Sequence, residues 1–312
     1  MFGRLTDTGH VHASSRNILK SDANSGAVTF CLWARRSEME TLRSIVTYTQ
    51  SSLGLSSPLP LYLGAAATSV VFVWLLRRYF GGGVCYNKNK LDGKVVVITG
   101  ANTGIGKETA VDLARRGAKV YMVCRSLERG RPALEHVKQV SGSSSVFLMK
   151  MDLGSKRSIK EFAEDFLVRE PELHILINNA GRMHTPEGKT EDGFETQMGT
   201  NHLGHFYLTY LLLDRLKQCS PSRIINVSSL AHIHARLNMD DLNLTKAGYN
   251  SFVAYGNSKL ANILHAMELS RRLQGTGVTA YSLHPGAVAT ELAREYAIIF
   301  KVSTSTFNPA WV

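Results

Sequence analysis

The chain has 312 residues, 44% of them hydrophobic and 20% charged, a balance too apolar for a disordered protein. With 26 Gly and 8 Pro it is not fibrous either, and its length allows one large α/β domain or two small ones. Lys and Arg number 36 against 25 Asp and Glu, and the net charge of +11 suits an anionic membrane surface, an anionic small molecule, nucleic acid or simply a solvated basic surface. Cys31, Cys85, Cys124 and Cys219 lie far apart and form no CxxC pair, which argues against a disulfide scaffold or a zinc site and fits a reducing compartment.

Residues 1–58 mix Arg4, Arg16, Lys20, Arg35 and Arg36 with Asp7, Asp22, Glu38 and Glu40. Those acids make a poor mitochondrial presequence, and the segment reads as a largely disordered extension with a short helix around Ser37–Val46. No charge occurs from Ser44 to Leu76, and an apolar core runs from Leu61 to Leu76 behind Pro58 and Pro60. Those residues as a helix span about 24 Å. Arg77 and Arg78 can snorkel, and Tyr79 and Phe80 extend the span toward the roughly 30 Å of a hydrocarbon core. Residues 59–80 are therefore expected to be a transmembrane anchor, with a buried helix of a soluble fold as the alternative. A cleaved signal peptide is disfavoured by the distance from Met1. Arg77, Arg78, Lys88, Lys90 and Lys94 on one flank against Arg43 on the other place the chain beyond residue 77 in the cytosol. The sequons at Asn226 and Asn243 would then stay unmodified. Gly81-Gly82-Gly83 gives a flexible joint, and a folded domain over 91–312 is expected beyond it.

From Lys94 short apolar runs alternate with helical periodicity. Val95–Ile98, Lys119–Val123, Val146–Met151, Leu173–Ile177, Arg223–Val227 and Val278–Leu283 read as strands. Ile105–Arg116, Leu127–Val140, Lys156–Val168, a long stretch from about Gly193 to Lys217, and about Phe252–Leu273 read as helices. The alternation predicts a doubly wound parallel-sheet α/β domain of the Rossmann type, covered on both faces.

Strand one runs into Thr99-Gly100-Ala101-Asn102-Thr103-Gly104-Ile105-Gly106. Glycines between a strand and a helix permit a tight turn and close approach of a pyrophosphate, which the helix N-terminus then faces with free N–H groups. An acid after strand two would suit NAD. The chain instead has Cys124-Arg125, so Arg125 can pair with a 2′-phosphate, Lys107 can add a second positive charge, and NADP(H) is the expected cofactor. Asp152-Leu153 after strand three can accept from an adenine amino group, and Asn178-Asn179-Ala180-Gly181 ends strand four at the ligand-binding edge. Tyr255 and Lys259 are spaced i,i+4 and share a helix face. An ammonium beside a phenol lowers its pKa toward neutrality and makes it a proton donor or acceptor for a carbonyl–alcohol pair. Ser229 can hold the same oxygen, with Ser228 its competitor. Tyr86 and Lys90 have the same spacing but no strand or glycine turn around them.

Taken with Thr200–Phe206, Val227-Ser228-Ser229 and Leu283-His284-Pro285-Gly286, these motifs resemble the short-chain dehydrogenase/reductase family, in particular its membrane-anchored retinol dehydrogenases, over about residues 91–292. The resemblance implies Tyr255 as acid/base and Lys259 as its tuning group and ribose ligand. It also implies Ser229 orienting the substrate oxygen and Asn201 holding a proton-relay water. Asn178, Ala180, Gly181, Pro285, Gly286, Val288 and Thr290 would join the glycine turn around the cofactor. It implies NADP(H)-dependent hydride transfer with a lipophilic carbonyl or alcohol such as retinal/retinol, in a membrane of the endoplasmic reticulum or of the mitochondrion. Family members continue into a substrate-covering segment and a seventh strand. Here 22 residues follow Thr290, and a truncated form with weak turnover, or a silent cofactor-binding scaffold, is the alternative expectation. Membrane lipid and a lipophilic small molecule are the expected partners, with a homodimer through the helices near 193–217 and 252–273 compatible. No basic module points to nucleic acid.

Overall fold

The computed structural model describes residues 40, 43–54, 56–80, 89–246, 248–286, 288, 290 and 292. The expectations for residues 1–39, the glycine joint at 81–83, Tyr86 and the tail 293–312 lie outside the described residues. The chain divides into two units, 1–83 and 84–312.

In the first unit residues 43–52 are helical, a few positions beyond the expected Ser37–Val46 helix. Helix α1 covers Leu59–Phe80. Its window Leu59–Leu76 has a mean hydropathy of 1.9 and none of it is buried against protein, so it is long and apolar enough to cross a membrane.

The second unit is a parallel six-stranded sheet with helices on both faces. Its elements are β1 (Val95–Thr99), α2 (Gly104–Arg115), β2 (Lys119–Cys124), α3 (Leu127–Ser141), β3 (Val146–Lys150), α4 (Lys156–Arg169), β4 (Ile175–Asn178), α5 (Gly204–Gln218), β5 (Ser222–Val227), α6 (Ser251–Arg272) and β6 (Val278–Leu283). The strand order is β3-β2-β1-β4-β5-β6, which reverses between β1 and β4 and opens a crevice at their carboxyl ends. Strand side chains alternate between two cores. Val97, Val123 and Leu176 meet Phe162, Phe166, Leu208 and Leu212 on one face, while Val96, Ile98 and Met122 meet Ala110, Ala114 and Val137 on the other. All five β1 residues are buried, which is why the first four, Val95–Ile98, read as a continuous apolar run. Among the described strands β6 is an edge, with Tyr281 and Leu283 exposed.

The long helix expected from Gly193 starts later. Gly193 sits at φ +81°, and Glu195 caps a first turn, Thr196–Met198, by accepting from the N–H groups of Gln197 and Met198 at 2.8 and 2.7 Å. A π turn over Gly199–Leu203 then leads into α5. It places Asn201, wholly buried, against the residues that follow β4.

Candidate active site

The crevice holds a cavity of about 450 Å³. Its walls bring together every candidate site residue of the sequence except Lys107, Asn178 and Asn201. The glycine turn forms one side. Gly100 has φ +66°, and a Cβ there would lie 2.8 Å from the Ala180 Cα. A Cβ on Gly106 would lie 2.5 Å from Asn179 Nδ2 and 2.6 Å from the Gly100 carbonyl oxygen, so α2 packs on the turn only without a side chain. Thr103 is the N-cap of α2 but its side chain caps no N–H, and no acid occupies the first turn. The opening N–H groups of α2 and its positive dipole end therefore face the cavity without an internal anion.

Arg125, exposed at the end of β2, lines the far wall. The expected second cation, Lys107, does not. It lies 3.5 Å from Glu108 outside the cavity, and Arg129, in the first turn of α3, takes that place. Arg129 follows Ser126, the N-cap whose hydroxyl accepts its N–H at 3.3 Å, so it is carried to the wall by the start of a helix that the sequence does predict. Asp152 lines the cavity, with Oδ1 turned back to accept from the Gly154 N–H at 2.8 Å.

At the other end Tyr255 and Lys259 lie one turn apart on α6, both buried. The Lys259 Nζ is 5.6 Å from the Tyr255 ring centroid and donates to the Val227 carbonyl at 3.0 Å. Burial lowers its pKa to about 8. The expected acidification of Tyr255 does not hold in this pocket. Burial pushes the phenol above its ordinary value, partly offset by a hydrogen bond with Ser229. Ser229 lies two residues beyond the end of β5, and its Oγ accepts from the Ala231 N–H at 3.3 Å. Its competitor Ser228 is engaged elsewhere, donating to the Lys259 carbonyl at 2.7 Å, and that leaves Ser229 as the hydroxyl beside the phenol.

Two predicted residues stand behind the wall. Asn178 turns inward, its Nδ2 donating to Asn226 Oδ1 at 2.8 Å and Thr209 Oγ1 at 3.0 Å, and its neighbour Asn179 lines the cavity instead. The side chain of Asn201 clamps Arg182, donating to its carbonyl at 2.9 Å and accepting from its N–H at 2.8 Å, and also donates to Ser258 Oγ at 2.9 Å. Asn226, the first sequon, is 1% exposed and its amide is bonded within the fold, so the folded domain offers no glycan acceptor there. Among the described residues no group of His, Cys, Asp and Glu could hold a metal.

Residues 94–297 match the family described as short chain dehydrogenase. Retinol dehydrogenase 12 of Mus musculus is 56% identical over 219 residues, 70% of this chain and 69% of that protein. Retinol dehydrogenase 12 of Homo sapiens is 54% identical over 224 residues, 72% and 71% of the two chains. Among solved structures, an uncharacterized protein from Mycobacterium paratuberculosis is 43% identical with a TM-score of 0.59, over 66% of this chain and 73% of that one. Pseudomonas aeruginosa RhlG, solved as its NADP active-site complex, is 26% identical with a TM-score of 0.55, over 67% and 78%. The chain belongs to the short-chain dehydrogenase family and is an oxidoreductase closely related to the retinol dehydrogenases.

Proposed function

We propose that this chain is an NADP(H)-dependent reductase/dehydrogenase of lipophilic carbonyls and alcohols, retinal and retinol among them, held to a membrane by α1 with residues 91–312 on the cytosolic side. The observation that carries the reading is one cavity with an anion-ready helix start at one end and a phenol, an amine and a hydroxyl at the other.

The donor set suits a phosphorylated dinucleotide. The turn from Gly100 to Gly106 and the α2 N-terminus would hold the pyrophosphate, and Arg125 with Arg129 the 2′-phosphate. Asp152 and Leu153 would border the adenine, Asn179, Ala180 and Gly181 the central ribose, and Pro285, Gly286, Val288 and Thr290 the nicotinamide end. When bound, the nicotinamide supplies or takes the hydride. Tyr255 then supplies a proton to the carbonyl oxygen during reduction, or removes one from the alcohol during oxidation. Ser229 orients that oxygen and steadies the phenol. Lys259, its pKa lowered to about 8 and so still mostly charged at neutral pH, holds the ribose and restores the proton of Tyr255, with Asn201 fixing the backbone beneath it. A lipid-dissolved substrate gives the apolar helix α1 its purpose, in the endoplasmic reticulum or the mitochondrion.

Tyr255→Phe in the full chain, purified in detergent and assayed with NADPH and all-trans-retinal, tests the assignment. Turnover should fall by about 10²–10⁴, the usual worth of a general acid. NADPH affinity should stay within about threefold, because the ring remains. A variant that keeps the wild-type rate refutes Tyr255 as the acid. A wild type that binds NADPH but turns over no carbonyl favours the silent scaffold.

A further inference from the structure

His205 lies in the first turn of α5, 1% exposed, and no step of the proposed reaction uses it. Its two ring nitrogens reach Thr99 in the cavity wall and Asn201, in the π turn, behind it. Nδ1 is 2.9 Å from the backbone carbonyl oxygen of Asn201 in the π turn. Nε2 is 2.8 Å from the Thr99 hydroxyl at the end of β1.

The chemistry of these partners leaves one arrangement. A carbonyl oxygen can only accept, so Nδ1 carries the proton. Burial, with Lys259, His202 and His265 nearby, lowers the pKa of the ring to about 3, so at neutral pH it carries only that one proton. Nε2 therefore presents a lone pair, and the Thr99 hydroxyl donates to it. A second acceptor for that hydrogen, the Ile177 carbonyl, is farther, at 3.4 Å. With its hydrogen so directed, Thr99 Oγ1 is free to accept the N–H groups of Asn179 and Ala180, at 2.9 and 3.0 Å. Those two residues line the cavity.

We infer that His205, held as the Nδ1–H tautomer, is a positioning residue that ties the π turn carrying Asn201 to the Thr99–Asn179–Ala180 floor of the cofactor cavity. The two nitrogens have separable effects. The Nε2 bond orients Thr99 and through it the loop beside the cofactor. The Nδ1 bond holds the Asn201 carbonyl, and Asn201 in turn holds Arg182 and Ser258, the residue before Lys259. The inference rests on the reading of this cavity as a dinucleotide site.

Asparagine can place an amide nitrogen near the position of Nδ1, and glutamine an amide oxygen near that of Nε2, so the two substitutions separate the bonds. In His205→Asn the bond to Asn201 survives and that to Thr99 is lost. The NADPH Kd should rise about five- to tenfold, the worth of one buried hydrogen bond, with kcat within about twofold of wild type. In His205→Gln the bond to Thr99 survives, and kcat should fall about five- to tenfold while Kd stays within about twofold. The tautomer is read directly by nitrogen NMR on the full chain, labelled at histidine, in detergent micelles. His205, assigned by its absence from the variant spectra, should be Nδ1–H and should not titrate between pH 5 and 8. An Nε2–H ring, titration in that range, or variants that change Kd and kcat together or not at all would overturn the inference alone. A wild type that binds no NADPH while the ring is Nδ1–H would instead overturn the dinucleotide reading, and the positioning role with it.

Discussion

Burial of histidines should make the fold acid-sensitive, and His265 offers the clearest test. It is 9% exposed on α6, with its Nδ1 facing Asn226 Nδ2 at 3.3 Å and its ring 5.0 Å from that of Phe206. Burial, and then the neighbouring His202, lower its pKa from 6.5 to about 4. His202, His174 and His184 are shifted the same way by burial. A histidine with a depressed folded pKa takes up its proton more readily when unfolded. Its contribution is therefore complete above about pH 6.5 and is lost as pH falls from there toward the folded value. Between pH 7.5 and 5.5 one such group costs about 1.3 kcal/mol by linkage, from a total stability of about 5–15 kcal/mol. Glu195 has the opposite sign, because burial raises its carboxyl pKa and it gains stability as pH falls through the raised value. A difference between two proteins removes that background. His265→Asn keeps an acceptor for Asn226 and removes the titration. Urea unfolding of both full chains in detergent, followed by circular dichroism at the two pH values, should show the variant gaining about 1.3 kcal/mol on the wild type at the lower pH, roughly 0.5 M in midpoint. A stability difference that is the same at pH 7.5 and 5.5 would mean that His265 protonates at its ordinary value inside the fold, and that burial does not govern it.

Reversing the charge at Arg125 should separate the two cofactors. Arg125→Asp should weaken NADPH binding by about 10- to 100-fold, the equivalent of about 1.4–2.7 kcal/mol, and leave NADH equal or tighter. Fluorescence titration reads both, and a parallel loss for the two cofactors would show that Arg125 does not face the 2′-phosphate. Gly106→Ala puts a methyl 2.5 Å from Asn179 Nδ2 and 2.6 Å from a backbone oxygen that cannot retreat. It should cost about 1–3 kcal/mol and lower the thermal midpoint by several degrees. An unchanged midpoint would mean that α2 has slack against the turn.

The strands are legible in the sequence because a parallel strand covered on both faces leaves an unbroken Val/Ile run, as at Val95–Ile98. That same property hides the phase of a strand end. Asn178, the last residue of β4, and Asn179 are both polar after the apolar run Ile175–Ile177, and nothing in the pattern says which faces the cavity. The structure turns Asn178 to Thr209 and Asn226 and leaves Asn179 at the wall. The π turn is equally hidden, because one extra residue in a turn leaves the apolar spacing on either side intact. The delayed start at Thr196 is signalled by Gly193 and by a Glu that caps the turn through its own side chain. Arg129 escapes a search of the segments between elements, because it belongs to a helix, yet from the first turn of α3 it reaches the same wall as Arg125. Ser228 and Ser229 cannot be separated without the Lys259 carbonyl, which is brought in by a helix 31 residues away and takes the Ser228 hydroxyl.

The electrostatics of Tyr255 run against the expectation from its spacing, and the reason is one of distance. An i,i+4 spacing puts the amine and the phenol on one face, but it does not direct the Nζ to the Oη. Here Nζ bonds the Val227 carbonyl and sits 5.6 Å from the ring centroid. Its own burial brings its pKa to about 8, so above that pH most of its charge is gone before a phenol of ordinary pKa begins to ionise. An amine that loses its charge above about pH 8 gives little support to a phenolate forming at higher pH, and the cost of burying that anion decides the direction. In the cofactor-free protein Tyr255 should therefore stay protonated through neutrality. The difference in ultraviolet absorbance between wild type and Tyr255→Phe should show its ionisation only above about pH 10, the ordinary tyrosine value. A step near pH 7 would show that the ammonium outweighs burial after all. A protonated phenol is the form that donates to a carbonyl, so reduction should stay nearly flat from pH 6 to about 7 and decline as Lys259, which restores that proton, loses its own at about pH 8. Oxidation, which needs the phenolate, should climb with pH across the same interval.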